Sequence, residues 1–282
     1  MERPQFQSQS WCGLPWGPWV PFIEGDFSVV PNIAGLYRVR PIGRKELAYI
    51  GQTGISLRAR LKSQLCNNVL ASRMPWNDPH TAAPCLWAFR RSNRMEFECS
   101  AAPRKLSVRK RKALESYLLW AYRLEHGESP LGNLGRFHKR YTRPSNRNIG
   151  RRGRHLRPGE KNNSAGVDST APLRFRGLPQ DADWMGLNWQ KTKGENAPQE
   201  PGLYKVLAAS TGDLLYVGMS KNLHSRLASH KRKNWRGKVI FWIALLEPSI
   251  PDRHLQELEN DLIGGYYKQT SDAPMFQFSN LH

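Results

Sequence analysis

The sequence predicts an α/β or α+β fold built from two related modules, and three observations lead to that prediction. The tripeptide Gly-Leu-Tyr at 35–37 recurs at 202–204. Tyr-Ile-Gly at 49–51 recurs as Tyr-Val-Gly at 216–218, so both motifs return after the same 167 residues. Each pair of motifs is then followed by the same order of strand-like and helix-like patterns. Two matches at one offset indicate a duplicated segment.

The first copy opens with apolar runs at 35–40 and 47–51, which predict a β-hairpin whose turn contains Pro41 and Gly43. Ser56 is expected to cap the helix that follows, because apolar residues recur behind it at helical spacing.

Farther along, Leu86 to Phe89 and Met95 to Cys99 are both typical of strands. An amphipathic helix is expected from about 107 to 126, with Gly127 at its C′ position. Each module should therefore hold a small, mostly antiparallel three-stranded sheet flanked by helices. In the second copy the hairpin is expected at 202–208 and 213–218, a helix at 221–230, a strand at 238–246 and the last helix at 251–267.

These patterns divide the chain into a Trp/Pro-rich lead-in at 1–34, modules at 35–135 and 201–282, and a flexible linker with a second lead-in at 136–200. Residues 136–160 hold nine Lys or Arg and one acid. Such a run can be a solvated linker, or a basic arm that follows a phosphate backbone and becomes ordered on binding.

Charge and cysteine content narrow the class of protein. The formal net charge is +20, which favours an anionic partner such as DNA. Cysteines at positions 12, 66, 85 and 99 have no metal-binding or disulfide-framework spacing, so free thiols and a cytoplasmic protein are expected. No apolar run approaches the roughly 20 residues that span a bilayer.

The ordered set of motifs resembles the GIY-YIG nuclease superfamily over about 35–133 and again over about 202–280. In that pattern two strands carry GLY and YIG, the next helix carries an arginine, and a later helix carries a glutamate. The resemblance places candidate catalytic residues at Tyr37, Tyr49, Arg60, Glu115 and Asn133 in the first copy, and at Tyr204, Tyr216, Arg226, His230 and Glu259 in the second.

Phosphodiester hydrolysis explains these residue types. The resemblance implies that Glu115 and Glu259 each hold one Mg²⁺ (or Mn²⁺), a Lewis acid for the scissile phosphate. The arginine offers a fixed fork of donors to the same phosphate. The first tyrosine is implied to be the general base, while the second tyrosine and the histidine would position water or assist proton transfer. Asn133 is expected to orient the glutamate or to close the core.

The two copies depart from the pattern at different places. Gln64 stands in the first copy where the second has His230, and His80 in an insertion is a candidate substitute. Gln277 stands where the second copy should have its asparagine, which arrives only at Asn280. Glu257 is the lesser candidate beside Glu259, because two residues apart on a helix means different faces.

Basic side chains near these motifs are predicted to contact phosphates, since cations at a helix N-terminus do not stabilise the helix. Trp11, Trp16 and Trp19 can stack bases or pack; Trp184 and Trp189 at a similar place favour packing. The predicted nucleic-acid-binding residues are Arg58, Arg104, Lys105, Arg109, Lys110, Arg111, Lys112, Lys139, Arg140, Arg151, Arg152, Arg154, Lys221, Lys231, Arg232 and Lys233.

The sequence thus predicts a divalent-metal-dependent endonuclease that cuts both strands of DNA. The two modules of one chain would act as an intramolecular pseudo-dimer, so a monomer is expected. Restriction or defence against mobile DNA is the context that the resemblance implies, and RNA stays open as a substrate. Two alternatives remain: one active module with the other as a DNA clamp, and a non-catalytic nucleic-acid-binding protein.

Overall fold

The computed structural model describes residues 5–160, 166 and 168–279. It divides the chain into two compact units: unit 1 is Met1–Ser107 with Ser129–Asp168, and unit 2 is Val108–Glu128 with Ser169–His282. Over the described residues the fold is α+β, with five helices and two four-stranded antiparallel sheets. Those helices include none that is long and apolar enough to cross a membrane.

The sheet of unit 1 has one strand more than predicted, because the lead-in contributes a short strand at its edge. Its strands are β1 (Val20–Pro21), β2 (Gly35–Pro41), β3 (Tyr49–Thr53) and β4 (Phe97–Pro103). They lie in the order β1-β4-β2-β3, all antiparallel. The predicted hairpin is confirmed as β2–β3, with Gly43 at φ +75° in its turn.

Two helices flank this sheet. The first, α1, is a continuous run of Leu57–Ala59, Arg60–Cys66 and Asn67–Val69 whose middle part is π-helical. The Ser56 side chain accepts a hydrogen bond from the amide of Ala59, as expected for its cap. The second, α2, spans Ala83–Asn93.

The prediction of a strand at Leu86 to Phe89 is therefore wrong, since these residues form part of α2. A short apolar run does not distinguish a buried strand from a buried helix. Proline in the first turn and Arg94 in the left-handed conformation after the last turn mark the helix ends.

Unit 2 repeats the same sheet. Its strands β5 (Gln190–Thr192), β6 (Gly202–Ala208), β7 (Leu214–Ser220) and β8 (Val239–Leu245) lie in the order β5-β8-β6-β7. The register is repeated as well: Tyr37 lies opposite Gly51, and Tyr204 lies opposite Gly218. The predicted helices are present as α3 (Val108–His126), α4 (Leu223–Lys231) and α5 (Asp252–Thr270).

Helices α3 and α5 pack against each other in antiparallel directions within unit 2. Near one end Arg109 hydrogen-bonds the carbonyl of Ala273, and near the other Arg123 meets Glu257. The helices approach closely at Gly264, where an added Cβ would lie 2.7 Å from Cβ of Trp120. The pair therefore needs glycine at this position.

A buried ionic cluster fastens this helix pair. Arg123 is fully buried, with its Nε 2.9 Å from Asp261 and its Nη1 3.3 Å from Glu257, and both carboxylates are equally buried. The amides of Thr170 and Leu173 donate to the same two carboxylates at 2.8 and 2.9 Å. The cluster thus joins α3, α5 and the strand-like segment that leads into the second module.

Each lead-in wraps a buried cation of its sheet with tryptophans. In unit 1 the Arg38 guanidinium lies 4.3 Å from the ring centroid of Trp16 and 4.8 Å from that of Trp19. The pKa of Arg38 is lowered to about 9, mainly because the guanidinium is buried and also because Arg40 carries a like charge nearby. The Arg38 Nη1 also donates to the carbonyl of Phe6 at 2.5 Å.

Unit 2 repeats this arrangement with lysine. Lys205 Nζ lies 4.6 Å from the centroid of Trp189 and 5.0 Å from that of Trp242, and donates to the carbonyl of Asp181 at 2.8 Å. The packing interpretation of the tryptophans thus fits both copies. A shared Trp-x-Gly-Leu-x-Trp pattern at 11–16 and 184–189 is the sequence signal of this repeat.

The basic segment that was expected to be flexible folds back on unit 1. Tyr141 is buried and forms a bridge with His155. Arg152 donates to the carbonyl of Met74 at 2.9 Å, and its guanidinium lies 4.1 Å from the ring centroid of Trp76. The segment is thus packed against the insertion of the first module.

Candidate functional site

The tripeptide motifs are explained by how the first tyrosine packs. A Cβ added at Gly51 would meet the ring of Tyr37 at 2.5 Å, and one added at Gly218 would likewise collide with Tyr204. The YIG glycine therefore makes room for the tyrosine of the neighbouring GLY strand. Both Tyr37 and Tyr204 are almost fully buried, so each hydroxyl is held in one place.

In unit 2 the predicted tyrosines and histidine come together. The Tyr204 hydroxyl lies 3.0 Å from His230 Nε2, and the ring centroids of Tyr204 and Tyr216 are 6.0 Å apart. His230 is held in turn by Trp235, whose ring stacks on it and whose indole donates to its carbonyl at 2.8 Å. The placement of His230 on α4, four residues after Arg226, produces this geometry.

Charges converge on the same hydroxyls. Glu259 is half-buried on α5 and accepts a hydrogen bond from the amide of Met219; burial raises the pKa of its carboxyl to about 7, although Arg226 opposes that rise. The pKa of Tyr204 is raised above its usual range, mainly because its hydroxyl is buried and also because Tyr216 and Glu259 lie nearby. The pKa of His230 is lowered to about 4, mainly because the ring is buried and also because Lys233 and Arg226 are positively charged.

Unit 1 builds the same arrangement with a histidine from another place in the chain. The Tyr37 hydroxyl lies 2.7 Å from Nε2 of His80, which is fully buried. Arg60 Nε lies 3.4 Å from the same hydroxyl, and the rings of Tyr49 and His80 are 5.5 Å apart. Gln64, at the position that corresponds to His230, binds Arg60 instead at 2.7 Å. His80 therefore occupies the place that Gln64 leaves.

The two histidines differ in how their second nitrogen is used. Nδ1 of His80 accepts from the amide of Ala82 at 3.2 Å, so a neutral ring carries its proton on Nε2 and donates to Tyr37. Burial first, then Arg60, lowers the pKa of His80 well below its usual value, which keeps the ring neutral at pH 7. Within the described chain Nδ1 of His230 has no hydrogen-bond partner, so either of its nitrogens can carry the proton.

The two glutamates lie on the paired helices of unit 2. Glu259 is adjacent to Asn260, whose side chain donates to the carbonyl of Ser116 at 3.2 Å. Glu115 is half-buried and adjacent to that serine, on a helix that clusters with unit 2 rather than with the first module. Its catalytic role stays a prediction from the sequence. Glu257 is committed to the buried cluster around Arg123.

The asparagine of the first copy closes the core. Asn133 accepts from the amide of Ile50 at 2.9 Å and donates to its carbonyl at 2.8 Å, which satisfies the outer edge of β3. Gln277 does the same work on β7, since its side-chain oxygen accepts from the amide of Val217 at 3.0 Å. The apparent departure of the second copy is therefore a replacement with a longer amide. Asn280 lies outside the described residues.

Several of the predicted phosphate-binding residues contact other groups of the protein. Arg58 is tied to the carbonyls of Val30 and Ser28, Arg109 and Lys110 pair with Asp272, and Arg111 is buried. Lys112 lies over Phe278, while Arg154, Lys221 and Lys231 pair with Glu160, Asp252 and Glu195. Lys233 is half-buried near Arg226. Arg152 donates to the carbonyl of Met74 and lies over Trp76. The remaining six are exposed: Arg104, Lys105, Lys139, Arg140, Arg151 and Arg232.

Glu259 is the acidic side chain whose charge acts on both tyrosines of unit 2. Among the described residues no three of His, Cys, Asp and Glu cluster as a metal site. Mg²⁺ is commonly held by one or two carboxylates, with water and substrate phosphate completing its shell. Burial of Glu259 disfavours its charged form, and a cation beside a carboxylate favours that form.

All four cysteines, Cys12, Cys66, Cys85 and Cys99, are free thiols.

Comparison with protein-family models, with curated proteins and with solved structures yields no significant match. Function is therefore inferred from the residues and their geometry.

Proposed function

We propose that this protein is a divalent-metal-dependent endonuclease that hydrolyses DNA phosphodiester bonds. The observation that carries the proposal is the repeated hydroxyl–imidazole pair: Tyr37 with His80, and Tyr204 with His230. The histidines arrive from different elements, yet both rings face the two tyrosines of their own module. A purely structural duplication has no need to rebuild a histidine at that point.

In unit 2 the chemistry divides among four side chains. Glu259 would hold Mg²⁺ (or Mn²⁺), which would supply Lewis-acid activation of the scissile phosphate. Arg226 is exposed near the carboxylate and can donate to the phosphoryl oxygens. As water attacks phosphorus and the bond to the leaving ester oxygen breaks, the water proton passes to Tyr204 Oη while the proton of Tyr204 moves to His230 Nε2, 3.0 Å away, and the leaving oxygen takes a proton from solvent.

Unit 1 supports a variation of this scheme. Because His80 Nε2 and Arg60 Nε both donate toward the Tyr37 oxygen, they stabilise negative charge there. His80 then acts as a fixed donor, whereas His230 can exchange a proton. Glu115 is the candidate metal ligand that the sequence assigns to this copy, and two sites in one chain would serve the two strands of a duplex.

Cleavage of supercoiled plasmid in the presence of Mg²⁺ or Mn²⁺ tests the proposal. Wild-type protein should linearise the plasmid, while Glu259→Gln and Glu115→Gln should each leave a nicked circle, with one strand-cutting rate reduced about a hundredfold or more. Glu247→Gln removes an exposed carboxylate of unit 2 and is the matched control.

The outcomes separate the candidate functions. If only one glutamate variant abolishes cleavage, one module is active and the other is a DNA clamp. If wild-type protein binds DNA tightly but cuts neither DNA nor RNA with either metal, the nuclease proposal fails and a binding protein is the better description. Restriction or mobile-DNA defence remains the proposed biological setting.

A further inference from the structure

Unit 1 carries a cleft that the catalytic residues do not use. It consists of two adjoining cavities of about 430 and 470 Å³, which share Ser72, Arg73 and Arg152 in their walls. Each falls within the range of about 300–1,000 Å³ that is usual for ligand sites. The cleft lies among the first-module insertion, helix α2 and the returning basic segment.

The walls of the first cavity combine aromatic faces with cations. Trp87 and Tyr141 meet edge to face with their ring centroids 5.8 Å apart, and Arg91 lies beside them in the lining. Trp87 is fixed, because its indole donates to the carbonyl of Ala71 at 2.8 Å. Tyr141 is fixed as well, because its hydroxyl accepts from Ser92 at 3.1 Å.

The second cavity repeats that combination around Trp76, with Arg147 and Arg152 in its lining. Asp78 is the acidic residue among the lining groups of either cavity, and its carboxylate accepts from the amide of Arg147 at 2.9 Å. Positive charge thus exceeds negative charge along the whole cleft. A flat ring attached to a phosphate matches such a surface: the ring stacks on the aromatic walls, and arginines bind the phosphate.

The cleft and the catalytic histidine belong to one short stretch of chain. Asp78 lines the second cavity, and two residues later His80 hydrogen-bonds the Tyr37 hydroxyl. A DNA strand lying in the cleft therefore runs close to the segment that supplies His80.

We propose that this cleft binds unpaired nucleotides of a DNA strand, with a base in the Trp87–Tyr141 cavity and adjacent phosphates on Arg73 and Arg152. The proposal rests on the proposed function in that the strand is one the protein acts upon. It adds a preference that catalysis alone does not require, for DNA with a single-stranded or extruded nucleotide near the cut.

Photo-crosslinking in EDTA tests the inference without any cleavage. A short single strand carrying one 5-iodo-deoxyuridine should crosslink to peptides that contain Trp87 or Tyr141, and the same label inside a fully paired duplex should not. Arg73→Gln should weaken single-strand binding about tenfold, from the loss of one charged phosphate contact. Arg94→Gln removes an exposed arginine just after α2, outside the lining, and should bind as wild type.

Failure of this inference is distinguishable from failure of the proposed function. Crosslinks that map elsewhere, or equal weakening by both arginine variants, overturn the cleft assignment even if the plasmid is cut. Crosslinks at Trp87 or Tyr141 in a protein that never cleaves DNA support the cleft and reject the nuclease.

Discussion

Replacement of Arg123 by alanine should unfasten the helix pair that carries both candidate metal ligands. Arg123 forms ion pairs with both Glu257 and Asp261, and all three side chains are fully buried. Its removal leaves two buried carboxylates without the guanidinium that pairs with both of them, although the Ser169 hydroxyl still donates to Glu257 at 2.8 Å. Breaking a buried ion pair by removing one partner costs about 3–5 kcal/mol.

The pH dependence identifies the cause. Burial first raises the pKa of Asp261 to about 6 even with Arg123 present. Without the guanidinium this pKa rises further, so the folded state binds a proton that the unfolded state releases. Because the folded-state pKa is the higher one, stability falls as pH rises. The loss caused by Arg123→Ala should therefore be smaller at pH 5.5 than at pH 8, by at least about 1 kcal/mol.

Native-state hydrogen exchange measures this loss locally. Peptides from 252–270 should exchange roughly two to three and a half orders of magnitude faster in the variant at pH 8, after correction for intrinsic rates. Arg174→Ala, which removes an exposed arginine from the same unit, should change the opening free energy by no more than about 0.5 kcal/mol. A loss below about 1 kcal/mol, or one independent of pH, would refute the buried-charge account.

Two further predictions concern the second module. Gln277→Leu should cost about 1–3 kcal/mol, since the amide of Val217 loses its acceptor, whereas Gln199→Leu at an exposed position of the same unit should be nearly neutral; equal effects in thermal unfolding would contradict the closing role. Because the Glu259 pKa is about 7, its carboxylate is mostly protonated at pH 6, so Mg²⁺ affinity in calorimetry should weaken about tenfold per pH unit below 7. Glu259→Gln should bind weakly at every pH, and a slope that persists in that variant would assign the proton to another group.

The sequence predicted the local structure of the duplicated part well. The hairpins, the Ser56 cap and Gly127 at the end of α3 are all present, because each depends on residues that are close together in the chain. The predicted bounds of α3, about 107–126, and of α5, 251–267, were also close to those observed.

The long-range replacements were hard to predict from local patterns: His80 was only one candidate substitute, and Gln277 was not recognised as a replacement. His80 reaches Tyr37 only because the insertion folds back over the sheet, and nothing in the spacing of the two residues indicates that approach. Gln277 looked like a lost asparagine because a side chain longer by one methylene can reach the same strand from a similar turn. The edge strands β1 and β5 were missed because they are two and three residues long and lie outside the repeated motif.

The contacts of Arg38 and Lys205 with tryptophans of the lead-ins indicate that the duplicated segment is longer than the two tripeptide motifs suggest. A fragment that begins at the Gly-Leu-Tyr motif loses the rings and carbonyls that surround Arg38 or Lys205, and leaves a cation against the bare face of a sheet. Whatever ancestral gene was doubled must therefore have included the lead-in, as the shared Trp-x-Gly-Leu-x-Trp pattern records. Transplanting either module into another protein requires those upstream residues as part of the graft.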